Sequence, residues 1–392
     1  MKRVYLDQAA TSWPKRPEGV DAACNFIREC GAATGRGSYA SAQKANSIVA
    51  RARSSLARML GANSGEVAFC TSGTHALNAG LAGVLRDGDE VITTASEHNS
   101  LLRPLVALQR RLNVRLKIAN CDDRGIADIE HARSLFSERT RLLAIGHASN
   151  VTGAVLPLLA WSSLAKENGV SLLVDVSQTL GYLPIDMHAL GIDLLAAATH
   201  KGLRGLAGTG ALVVAARLQS DFEPLMFGGT GSSSEQIDWR PHWPECVEVG
   251  NLNVAGIASV GAAADAYLEE HTCQRECWRE PFEHLLAGLS RLPGLTVVGE
   301  RTGQDWPNEV PRIPLVSIVV EGWSVHDLAT ILDSSFQIEV RAGLHCAGLI
   351  HLSLGTNQTH GTLRFSVGHS TTLDEIDYTL NALSELLFTK NC

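Results

Sequence analysis

From Glu66 to Ala216 the chain switches repeatedly between short apolar runs and stretches patterned at helical spacing. The runs Glu66–Cys70, Glu90–Thr94, Arg115–Ala119, Arg141–Ile145, Ser171–Val174, Asp193–Ala197 and Gly210–Ala215 read as strands. Between them Ala76–Leu85, Ser100–Leu112, Ile129–Phe136 and Pro157–Asn168 read as helices. A strand that is apolar at consecutive positions has no face to offer to water, so helices must cover both sides of its sheet. The alternation predicts an α/β fold built on a mostly parallel sheet, with ligands gathered beyond the carboxyl ends of its strands.

After Gly250 the pattern changes. A long helical segment runs from about Ile257 to Leu289 and is expected to break near Pro281. Leu295–Val298, Leu315–Val320, Gln337–Val340 and Leu363–Val367 read as strands, Val325–Ser334 and Leu373–Leu387 as helices. A chain of 392 residues can build two cores. The expected division is a large domain over 14–255 and a smaller C-terminal α/β domain over 256–392, with segment 1–13 packing against the latter. No internal repeat or low-complexity linker interrupts it.

Net charge is −8, which argues against a nucleic-acid partner. No apolar run approaches the roughly 20 residues of a membrane helix. The N-terminus reaches Asp7 before a signal-peptide core could form, so a cytoplasmic location is expected. The nine cysteines contain no Cys-x-x-Cys pair and are expected as reduced thiols. His271, Cys273, Cys277 and His284 lie in a charge-rich helical stretch, and no metal is expected there.

Two predicted strands end in opposite charges. Ser171–Val174 runs into Asp175, with Gln178 three residues on, and Asp193–Ala197 leads to Thr199-His200-Lys201-Gly202. A lysine at a strand end is ordinarily solvated surface. Paired with an acid at a neighbouring strand end, it matches what a pyridoxal phosphate (PLP) enzyme requires: an amine to form the Schiff base and a carboxylate to keep the pyridine nitrogen protonated.

Other segments carry both a chemical and a plain structural reading. Cys70-Thr71-Ser72-Gly73-Thr74-His75-Ala76 turns from strand into helix, where free backbone N–H groups suit a phosphate. An ordinary N-cap would use the same residues. No Gly-x-Gly-x-x-Gly follows a strand, so a dinucleotide fingerprint is absent. His98 could stack on a planar cofactor or simply cap a helix, and Asn150 could serve a ligand or the turn before Gly153. Cys346, in Arg341-Ala342-Gly343-Leu344-His345-Cys346-Ala347, is either a structural cysteine or a thiol activated by Arg341 or His345. Arg364, between apolar neighbours, needs an anion: a ligand carboxylate or an internal acid.

Taken in order, these segments resemble the class V aminotransferase-like PLP enzymes of fold type I, and within them the cysteine desulfurase/selenocysteine lyase family. The resemblance runs from Tyr5-Leu6-Asp7-Gln8-Ala9-Ala10-Thr11 to Arg364 and the last helix. It implies that Lys201 forms the Schiff base and carries protons, Asp175 partners the pyridine nitrogen, and Gln178 donates to the phenolic oxygen. It further implies that His98 stacks on the ring, that Thr74, His75 and His200 contact the phosphate, and that Thr230 reaches the neighbouring subunit of a homodimer. Asn150 and Arg364 match the substrate-carboxylate residues, and Cys346 the cysteine that takes sulfur as a persulfide. Four positions depart from the family pattern: Ala198 where a phosphate-binding hydroxyl is usual, with Thr199 as the possible substitute, and Tyr39, Asn251 and Gly348.

The implied activity is PLP-dependent cysteine desulfuration, converting L-cysteine to L-alanine with a persulfide on Cys346, and passing sulfur to an acceptor protein. Selenocysteine lyase would use the same pocket. A plain aminotransferase would need no thiol at Cys346, and a silent scaffold would need neither Lys201 nor Asp175.

Overall fold

A computed structural model describes residues 3–35, 37–228, 237–238, 241–270, 272–300 and 311–389. Its strands are β1 (Val4–Tyr5), β2 (Val67–Cys70), β3 (Glu90–Thr94), β4 (Arg115–Ala119), β5 (Thr140–Gly146), β6 (Ser171–Asp175), β7 (Leu194–Ala198), β8 (Gly210–Val214), β9 (Leu295–Val297), β10 (Leu315–Val320), β11 (Ile338–Glu339), β12 (Arg341–Gly343) and β13 (Thr362–Ser366).

Seven strands form the large sheet in the order β2-β8-β7-β6-β5-β3-β4. Only β8 runs against its neighbours, so the predicted mostly parallel sheet is what the chain builds. Pleating sends alternate residues to opposite faces. Leu142, Ala144 and Leu173 join Leu77, Leu81, Leu101 and Leu105 of helices Gly73–Val84 and Asn99–Arg111. Leu143, Ile145, Leu172 and Val174 meet the other face, where helices Ala40–Met59, Leu158–Glu167 and Val254–Glu269 contribute Leu56, Trp161, Leu164 and Val260. Both faces are dry, as the continuous apolar runs require.

A second sheet, β12-β13-β10-β9, is antiparallel throughout. Helices Arg279–Leu289, Val325–Phe336 and Leu373–Thr389 share its core, with Leu285, Leu332 and Leu383 packed near Phe365. Strand β1 pairs in parallel with β11, which draws the N-terminal segment to this sheet. The expected break at Pro281 falls elsewhere. The helix from Val254 ends at Glu269, and Pro281 sits in the first turn of Arg279–Leu289. There a missing N–H costs nothing, because first-turn amides lack helical acceptors.

Strands β2, β3, β5, β6 and β7 run the same way, so the segments that follow them converge on one edge. Two glycines fix the most important of these segments. A Cβ on Gly202 would lie 2.5 Å from the Leu180 carbonyl oxygen, and one on Gly181 2.3 Å from the Gly202 carbonyl carbon. The loop carrying Lys201 therefore lies directly on the backbone after β6.

Candidate active site

The cleft at this edge holds about 240 Å³ and is lined from both sheets. Asp175, Ser177 and Gln178 follow β6, and His200 and Lys201 follow β7. Ser72, Gly73 and Thr74 follow β2, and Ser96, Glu97 and His98 follow β3. Asn150 comes from the turn after β5, while Arg341, Cys346 and Arg364 arrive from the antiparallel sheet.

Burial pushes the Lys201 amine down to about 8. The nearby Asp175 carboxylate opposes that shift, and Arg364 and Arg341 add to it. A lysine near neutrality is a far better nucleophile and proton acceptor than one at its ordinary value. Asp175 is oriented by the Ser177 amide, which donates to Oδ1 at 2.8 Å. His98 caps helix Asn99–Arg111: its Nδ1 accepts from the Ser100 amide at 3.0 Å, so the ring proton sits on Nε2. Burial and Lys201 lower His98 to about 4, which leaves a neutral ring.

Beside it Glu97 is fully buried among cleft atoms, accepting from the Thr94 hydroxyl at 2.6 Å. Burial lifts its carboxyl to about 8, so it is a neutral acid at pH 7. Sequence reasoning passed over Glu97 as a neighbour of His98, because a lone glutamate carries no signal of burial.

The turn after β2 opens a helix whose first amides lack intrahelical acceptors. Ser72 Oγ accepts from the His75 amide at 3.1 Å and closes one of them. Gly73 lies against the β6 turn, where a Cβ would be 3.0 Å from Ser177 Oγ and 3.1 Å from Ala198 Cβ. The His75 ring points away from the cleft. Its Nδ1 is held by Thr71 outside the cleft, so the side chain is no part of this cradle. The missing hydroxyl at Ala198 is not supplied by Thr199, which is buried against Thr209 Oγ1 at 2.6 Å. Ser177 presents a hydroxyl at this point of the cleft. Its Oγ lies 3.0 Å from the Ala198 amide, in the cleft.

Gln178 Nε2 donates to the Ala9 carbonyl at 3.3 Å. Asn150 Nδ2 donates to the His345 carbonyl at 2.6 Å, and the Asn150 carbonyl accepts from Arg364 Nη1 at 3.0 Å. Arg364 also grips Asp7, while its buried Nε has no partner among the described residues. Such a donor is suited to a small anion entering the cleft.

Cys346 is exposed at the rim, and Arg341 Nη2 lies 3.6 Å from its Sγ. His345 is not the activating cation. Its Nε2 faces Thr362, and burial holds the ring far below its ordinary value, hence neutral. His345 and Cys346 both adopt left-handed backbone, at φ 48° and 58°. Tyr39 is exposed and lines no part of the cleft; Asn251 borders a separate hollow near Cys70 and His75. Thr230 and His271 lie outside the described residues. Cys277 Sγ donates to the His369 carbonyl and His284 pairs with Asp377, and no metal-ligating cluster occurs among the described residues.

The class-V aminotransferase family model matches residues 4–379. The chain belongs to the class-V aminotransferase family. A probable cysteine desulfurase of Methanothermobacter thermautotrophicus is 32% identical over 390 residues, covering 98% of this chain and 94% of that one. The apo structure of the cysteine desulfurase from Thermococcus onnurineus NA1 superposes with a TM-score of 0.88 at 27% identity, covering 99% and 95% of the two chains. The cysteine desulfurase CsdA of Escherichia coli gives 0.85 at 27% identity, again covering 99% and 95%. This class-V chain thus has the fold of the solved cysteine desulfurases, and no helix of its described residues is long and apolar enough to cross a membrane.

Proposed function

We propose that this class-V chain is a PLP-dependent cysteine desulfurase, taking sulfur from L-cysteine and leaving L-alanine. The observation that carries the proposal is a single cleft lined by Lys201, Asp175, Arg364 and Cys346. The residues fit the cofactor: an amine lowered by burial, an oriented carboxylate, a flat neutral ring at His98 and a helix N-terminus for a dianion.

Ser72, Gly73 and Thr74, with Ser177 and His200, would hold the phosphate. Asp175 would face the pyridine nitrogen, Gln178 the phenolic oxygen and His98 the ring, and Lys201 would attach the cofactor. PLP, when bound, supplies an electron sink for charge developing at the substrate Cα.

Arg364 and Asn150 orient the substrate carboxylate, which fixes its thiol toward the rim. Lys201 Nζ accepts the Cα proton, a task suited to an amine near neutrality. The Cys346 thiolate, whose Sγ lies 3.6 Å from Arg341 Nη2, attacks the substrate sulfur: an Sγ–S bond forms as the substrate Cβ–S bond breaks. Two protons then complete L-alanine: the one held on Lys201 Nζ returns to carbon and the substrate's own thiol proton supplies the other, so that Cys346 is left as the persulfide anion.

Exposure of Cys346 supports delivery to an acceptor protein, and exposed Met226 and Phe227, leading toward the segment containing Thr230, support a homodimer. The free thiols of the described residues support a reducing cytoplasmic setting. The test is to incubate PLP-loaded protein with L-cysteine and a thiol, then assay alanine and sulfide. Equal yields are expected, and a loaded protein that forms neither is not a desulfurase.

A further inference from the structure

His200, which precedes Lys201, is held from the N-terminal segment through both its main chain and its ring. Its carbonyl oxygen accepts from the Ser12 amide at 3.1 Å, from Ser12 Oγ at 3.0 Å and from Lys15 Nζ at 2.7 Å. Its Nδ1 lies 3.0 Å from Thr11 Oγ1. Lys15 Nζ also donates to Thr11 Oγ1 at 2.9 Å and to Ser12 Oγ at 3.1 Å, which uses its three protons.

The direction of the Thr11–His200 bond follows from counting donors. A hydroxyl has one proton to give. Two acceptors are in reach of Thr11: Nδ1 at 3.0 Å and the His200 carbonyl at 3.3 Å. The carbonyl has two lone pairs and already faces three nearer donors. The Thr11 hydroxyl therefore donates to Nδ1 while Lys15 donates to Thr11. Burial, with Lys201 and Lys15 close by, lowers His200 to about 4, so the ring is neutral and has a single proton to place. Lys15 is itself lowered to about 8, by burial and then Arg204, and stays charged at pH 7.

His200 lines the cleft beside the helix N-terminus, and Nδ1 is its one hydrogen-bonded ring atom among the described residues. We propose that Thr11 and Lys15 are positioning residues that lock His200 in the Nε2–H tautomer, so that the ring offers a donor to a phosphate group in the cleft. In the other tautomer Nε2 would offer a lone pair, which repels an anion. The proposal rests on the cofactor reading above in one respect, that the anion is the phosphate of PLP. The tautomer itself is a property of the protein alone.

The experiment uses full-length, cofactor-free protein labelled with 15N-histidine, read by long-range 1H–15N correlation. His200→Gln assigns the signal. The parent should show Nε2–H alone, Thr11→Ser should keep it, and Thr11→Val and Lys15→Met should give mixtures, with the other histidine signals unmoved as evidence of folding. Titration with PLP and with pyridoxal, which lacks the phosphate, supplies the second reading. Thr11→Val should weaken PLP by about tenfold or more, the share of one hydrogen bond to a charged group. It should leave pyridoxal unchanged and add nothing in a His200→Gln background. An Nδ1–H ring in the parent, an unmixed Nε2–H ring in Thr11→Val, or a further loss in the double variant overturns the positioning role. Failure to take up PLP at all overturns the cofactor reading and the phosphate assignment with it.

Discussion

Arg364 Nη2 donates to Asp7 Oδ1 at 2.8 Å, joining β13 to the residues just after β1. The arginine is 1% exposed and the aspartate 22%, so the pair is largely dry. Removing the acid strands a buried guanidinium. Asp7→Ala should cost about 3 kcal/mol in urea unfolding, the lower end for a broken buried pair because Asp7 keeps some water. It should also raise the KM for L-cysteine, since Arg364 loses the contact that aims it. An Asp7→Ala protein with parental stability and KM would show that the pair positions nothing.

Lys201 gives a pH prediction with a definite sign. Burial lowers its amine to about 8, so the neutral, nucleophilic form accumulates above that pH. Covalent uptake of PLP by cofactor-free protein should rise through pH 8 and then level off. Asp175 is the neighbour that raises this value, so Asp175→Asn should move the midpoint lower. Lys201→Ala should leave no borohydride-reducible link. A pyridoxyl adduct found on another lysine by peptide mass analysis would reject the assignment.

Cys346 separates sulfur transfer from the earlier proton steps. Cys346→Ala should bind L-cysteine and still exchange its Cα proton with solvent, because Lys201 and Arg364 remain. Alanine release should fall by about a thousandfold or more, since the one positioned thiolate is gone. Isotope exchange measured alongside alanine formation reads both. Parental turnover by Cys346→Ala would show that another group takes the sulfur.

Glu97 predicts a stability trend. Its carboxyl rises from 4.5 to about 8 on folding, mainly through burial, so the folded chain keeps a proton that the unfolded chain releases. The stabilisation is complete below 4.5 and is lost as pH rises toward 8. Glu97→Gln keeps the shape without the titration. The stability difference between parent and variant should therefore shift against the parent between pH 5 and 8 and flatten above; a difference that does not change with pH is the contrary result.

The inner strands of the large sheet were legible because buried parallel strands are largely apolar runs, and the predicted Ser171–Val174 and Asp193–Ala197 fall within one residue of β6 and β7. Helix Ala40–Met59 was not legible. It buries Ala42, Ala45, Ala52 and Ala57, and small residues leave little contrast between faces. The acid–amine pair at the ends of β6 and β7 was readable because both residues sit one short step past an apolar run. Ser177 was not, since a serine after a strand is ordinary turn chemistry until the fold places it against Gly73. His345 looked like a cation beside a thiol, and only its burial against Thr362 shows that it carries no charge.

Two consecutive left-handed residues carry the thiol, and both of their carbonyls are tethered: His345 to Asn150 at 2.6 Å and Cys346 to the Asn99 amide at 2.7 Å. While both tethers hold, the loop has no swing. The sulfur of Cys346 can travel only as far as rotation about its own Cα–Cβ bond allows, a radius of a bond or two. Such an arm can take cargo from inside the cleft and turn it to the rim, but it cannot carry that cargo across solvent. Under the proposed function, an acceptor would have to bring its own reactive atom to this spot, so the geometry of handover would be set by the visitor's shape as much as by this chain.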